Sequence, residues 1–70
     1  LNLSYNLLSF IDVNCFKQKH SLKYLNMSHN NIFYLNNNTF IDLNGLTILD
    51  LSFNKIKIFY ESILKSCINL

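Results

Sequence analysis

Asp12, Cys15, His20, Ser28, His29 and Asp42 are the side chains best suited to nucleophilic, acid–base or metal chemistry in this chain. Cys15 and His20 can only begin a metal site, because no second pair of ligands completes one at a workable spacing. No HExxH, CxxC or phosphate-loop string occurs. A nucleophile at Cys15 or Ser28 needs a fixed base and a third group to orient that base, and neither can be picked out. Asp12 and Asp42 read as solvated loop acids, and a lone His29 reads as a surface residue. The expectation is a non-enzymatic chain with no catalytic residue, no cofactor and no metal.

The spacing of other residues carries far more. Asn6, Asn30 and Asn54 stand 24 residues apart, and the apolar residues around them keep the same offsets. Leu22, Leu25, Met27, Ile32, Leu35, Phe40 and Leu43 recur as Leu46, Leu49, Leu51, Ile56, Phe59, Leu64 and Cys67. The first copy matches at Leu1, Leu3, Leu8, Ile11 and Phe16 but puts Lys19 where the second has Leu43. We therefore divide the chain into repeats 1–21, 22–45 and 46–69, with Leu70 opening another. Beginning and ending in mid-motif, it reads as a segment of a longer protein without terminal caps, marginally stable in isolation.

Each copy alternates apolar and other residues over Leu-x-x-Leu-x-Leu, the period of a half-buried strand. A 24-residue unit is too short to bury its own core, so each copy must be one coil of a solenoid whose neighbours complete it. Asn30 and its equivalents stand where the chain leaves the strand; their amides can bond backbone of their own and the adjacent coil, forming a structural Asn ladder. The later part of each copy is expected to be irregular or 3-10 backbone, with Phe16, Phe40 and Leu64 plugging the core.

The strings LNLSYNLL, LNMSHNNI and LDLSFNKI resemble the typical 24-residue leucine-rich repeat, and the resemblance covers essentially the whole chain. It implies an α/β solenoid with short parallel strands on a concave face. Repeats of this kind occur above all in Toll and Toll-like receptor ectodomains and in related cell-surface or secreted proteins. The implied role is recognition of a protein ligand or co-receptor, extending to receptor dimerisation and signal transduction in innate immunity or development. The alternatives are a structural or adhesive extracellular repeat protein and, behind it, an intracellular scaffold.

Composition supplies ample material for a core. Half the residues are hydrophobic, and the net charge of +2 comes from lysines scattered among four acids. They form no basic stripe, so nucleic acid is not indicated. No apolar run approaches the roughly 18 residues of a membrane span. Cys15 and Cys67 lie two coils apart, roughly 10 Å along a stack of about 4.8 Å spacing, too far for a disulfide; Cys67 reads as a small buried hydrophobe.

Outward strand residues define the candidate interaction surface: Tyr5, Tyr24, Asn26, Ser28, His29, Ile48, Asp50, Ser52 and Phe53. Tyr5, His29 and Phe53 form an aromatic column that either meets a partner or packs on itself across strands. Three strands offer a few hundred Å2, against about 800 Å2 per partner in an ordinary stable interface, so this surface would be a slice of a larger one. The sequons at Asn2, Asn26 and Asn37 are candidate N-glycosylation sites. The strand pattern itself creates the first two, and Asn37, on the convex side, is the better candidate. An extracellular location, cell-surface or secreted, is the expectation that joins these readings.

Overall fold

The computed structural model describes all of residues 1–70. Strand β1 (Tyr24–Asn26) pairs in parallel with β2 (Ile48–Asp50), aligning Tyr24 with Ile48, Leu25 with Leu49 and Asn26 with Asp50. That register is the 24-residue repeat itself. The first copy joins through a single parallel bridge, Asn2 to Asn26, where the Leu3 amide donates to Asn26 O at 2.7 Å and the Asn26 amide to Leu1 O at 3.0 Å. A second seam, on the descending side of the coil, bridges Phe10 and Tyr34. Parallel neighbours require a crossover of a dozen residues or more, and here the rest of each repeat supplies it.

That crossover closes with local bonds. The Cys15 amide donates to Asp12 O at 2.9 Å, Thr39 to Asn36 O at 3.1 Å and Ile63 to Tyr60 O at 3.0 Å. The bonds Lys17 to Asn14, Lys19 to Phe16 and Leu22 to Lys19 recur in both later coils in the same way. All span three residues, the 3-10 pattern, which satisfies backbone polar groups without a longer helix. Only Glu61–Leu64 extends this into a 3-10 helix. The convex segments of these coils hold turns and this one 3-10 helix, and no α-helix.

The core lies between the two sides. Leu25, Met27, Ile32, Phe40, Leu43 and Leu46 are fully buried, and the Phe16 and Phe40 rings stack with centroids 6.1 Å apart. One expectation needs correction in the third coil. Ile63, not Leu64, is its buried plug, and Leu64 packs against the core only from its edge. Phe59, which takes the place of the buried Leu35, is exposed. Within these 70 residues a coil covers the third copy from one side only, which leaves Leu64 and Phe59 open at that edge.

Gly45 shows how tightly the coils approach. A Cβ there would stand 2.4 Å from His20 O, a backbone atom of the coil before, which rigid backbone cannot yield to cheaply. Glycine is required here for space.

Candidate interaction surface

Three parallel ladders lead from the strands to the corner where the chain turns. In the first, Asn30 Nδ2 donates to Met27 O and Ser28 O in its own coil and to Leu3 O in the coil before, at 3.0 to 3.2 Å, while its Oδ1 accepts the Leu8 amide at 3.2 Å. Asn54 repeats the set one coil on, donating to Leu51 O, Ser52 O and Met27 O and accepting the Ile32 amide at 3.0 Å. Asn6 makes only the bonds within its own coil, to Leu3 O and Ser4 O, and is exposed.

In the second ladder, Asn2, Asn26 and Asp50 each accept at Oδ1 from the backbone amide and the hydroxyl of the serine two residues on. The hydroxyl bonds from Ser28 and Ser52 are 2.7 and 2.6 Å long. These are local side-chain turns that a carboxylate serves as well as an amide. The Ser52 hydroxyl first, then its amide, hold the Asp50 carboxyl below its ordinary range, and nearby His29 acts in the same direction. One member of the expected surface is corrected here. Ser28 is buried, 5% exposed, because coils flank it on both sides and its hydroxyl is turned to Asn26.

The third ladder is aromatic. Tyr5 stacks on His29 with centroids 4.1 Å apart and planes at 9°, and His29 stacks on Phe53 at 4.3 Å and 11°. These residues share a backbone feature that their types conceal. Their φ angles are 56°, 55° and 56°, in the left-handed region that favours glycine and asparagine. That conformation costs a non-glycine residue about 1–2 kcal/mol. Each stacked pair returns about 0.5–1.5 kcal/mol, so His29, held between two rings, recovers most of its cost. The backbone turn also aims the Tyr5 and His29 amides at Ser28 O and Ser52 O of the following coil, at 3.1 and 3.0 Å.

What remains open to solvent is selective. Tyr5 and Phe53, the ends of the ring column, are 74% and 73% exposed. Tyr24 and Ile48, side by side in register, are both exposed, and Ser52 is exposed beside Phe53. Asn26, His29 and Asp50 are half-buried.

A second apolar strip lies on the descending side, where Phe10, Tyr34 and Ile58 recur at the 24-residue interval and are all exposed. Sequence reasoning concentrated on the strands passed over it, although the recurrence was visible. Beside it is a hollow of about 200 Å3 lined by Tyr34, Leu35, Asn37, Ile58, Tyr60 and Ile63. Asn37 is exposed at this hollow, while Thr39 is buried and its hydroxyl has no hydrogen-bond partner in the protein. An unpaired buried hydroxyl costs about 1–3 kcal/mol.

Neither cysteine is bonded. Cys15 is exposed, whereas Cys67 is buried with its thiol 3.9 Å from Phe40 O, and burial pushes its pKa up. No cluster of three or more His, Cys, Asp or Glu side chains is placed to hold a metal, and no helix is long and apolar enough to cross a membrane.

Comparison with known families agrees with the repeating geometry. One leucine rich repeat profile matches residues 1–56 and a second matches residues 45–70. The chain belongs to the leucine-rich repeat family, whose coils stack into a solenoid and generally mediate protein–protein recognition, typically without enzymatic activity. No curated protein matches it individually.

Proposed function

We propose that these coils form part of the ectodomain of a cell-surface leucine-rich repeat receptor resembling the Toll family, with the strand side contacting a protein ligand or co-receptor. The observation that carries the reading is the exposed Tyr24 and Ile48 pair flanked by the ring column. Both side chains are exposed, while the polar side chains of Asn26 and Asp50 that end their strands are engaged in the ladders. Aromatic and aliphatic anchors of this kind dominate binding energy in protein interfaces. Their small extent makes them one portion of a contact shared with other coils.

Two measurements test the two halves of the proposal. Impermeant amine labelling of intact cells that make the native protein should modify its lysines; protein labelled only after lysis overturns the surface location. Crosslinking on those cells, followed by affinity recovery, should yield fewer bound proteins from Ile48→Asp than from the unaltered protein, with unchanged thermal unfolding. Equal recovery from both removes the strand side as the contact.

A further inference from the structure

We infer that Asn37 is the one sequon of this chain that carries an N-linked oligosaccharide, attached before the second coil closes. The inference rests on the extracellular reading above but uses a different part of the molecule.

The three sequons differ in what their hydroxyls do. Ser4 and Ser28 donate to Asn2 and Asn26 Oδ1 within the fold. The third member of that column is Asp50-Leu51-Ser52, which makes the same bonds and cannot accept a glycan. Structure alone therefore explains the first two Asn-x-Ser strings. Thr39 is the opposite case. Its equivalents in the other coils are Cys15 and Ile63, its position is 2% exposed, and its hydroxyl bonds to nothing in the protein. A valine or isoleucine would fill that space without an orphaned oxygen. The hydroxyl has no role in the folded coil, but it completes Asn37-Asn38-Thr39.

Asn37 itself is free for the reaction's product. It is exposed on the turn opened by Asn36, whose Oδ1 accepts the Asn38 amide at 2.8 Å, and a sugar there displaces no strand. In the transfer, Asn37 Nδ2 attacks the first sugar carbon of a lipid-diphosphate-linked oligosaccharide. The new C–N bond forms as the sugar–phosphate C–O bond breaks, the lipid diphosphate leaves, and one amide proton passes to a base of the host transferase. Burial of Thr39 in the finished coil requires that the sequon be read while this segment is still extended.

The test is secretion of the full-length protein from eukaryotic cells behind a heterologous signal sequence, with peptide mapping before and after enzymatic deglycosylation. We expect a glycan at Asn37, none at Asn2 or Asn26, and complete loss in Thr39→Val. A bare Asn37, or equal occupancy at Asn26, overturns the inference. Thr39→Val made without glycosylation in bacteria should unfold at a temperature no lower than the unaltered bacterial protein; a lower one gives the hydroxyl a structural role and overturns the argument. Because secretion is imposed, these outcomes are independent of where native cells place the protein.

Discussion

The strand corner and the convex crossover repeat at the same interval but by different physics. At the corner, backbone groups of one coil are satisfied by side chains of the next, as when Asn54 takes the Ile32 amide and Met27 O. Along the convex turns, the recurring backbone–backbone bonds span three residues within one coil. The first arrangement fixes residue identity, because an amide side chain supplies two N–H donors and a separate carbonyl acceptor at once. The second fixes backbone shape and leaves side chains free to vary, as Cys15, Thr39 and Ile63 do at one position.

The difference can be broken most forcefully at the corner. Asn30→Ala removes three donated bonds and orphans the partly buried Leu8 amide, so it should cost about 3 kcal/mol, whereas Asn6→Ala, which spans no coils, should cost under about 1 kcal/mol. Urea unfolding of the two variants measures the contrast, and equal losses would mean that the inter-coil bonds contribute little. Next in size, Gly45→Ala tests whether the crossover is also constrained between coils. Pressing a methyl group against His20 O should cost about 1–3 kcal/mol, read as a lower urea midpoint; an unchanged midpoint would show that the two backbones part easily.

The smallest effect sharpens the contrast within the strand side. The Asp50 carboxyl is held below its ordinary value of 3.8 in the folded chain, so its contribution to stability is present above that pH and lost as pH falls through the lower folded value. Asp50→Asn should keep the bonds to Ser52, as Asn26 keeps those to Ser28, while removing that pH dependence. Unfolding midpoints compared on either side of pH 3.8 report it.

The legible parts of this chain follow the same division. The 24-residue spacing of Asn6, Asn30 and Asn54 gave the register that pairs Leu25 with Leu49, because an inter-coil bond forces a recurring residue type. Positive φ at Tyr5, His29 and Phe53 was hidden, since large rings usually avoid that conformation and only the stack compensates them. The buried status of Ser28 and the exposure of Phe59 depended on which coils cover which. Local patterns in a single chain do not encode that cover. Nor did spacing reveal that Gly45 sits against His20 O.

The Asn side chains also give the stack a direction. Asn30 and Asn54 reach back to the coil before them, to Leu3 and Leu8 and to Met27 and Ile32, and the Asn30 amide makes no bond to the coil after. Each coil's corner is sealed by the residue synthesised one turn later. Adding a repeat therefore pairs the corner amide and carbonyl of the coil before it.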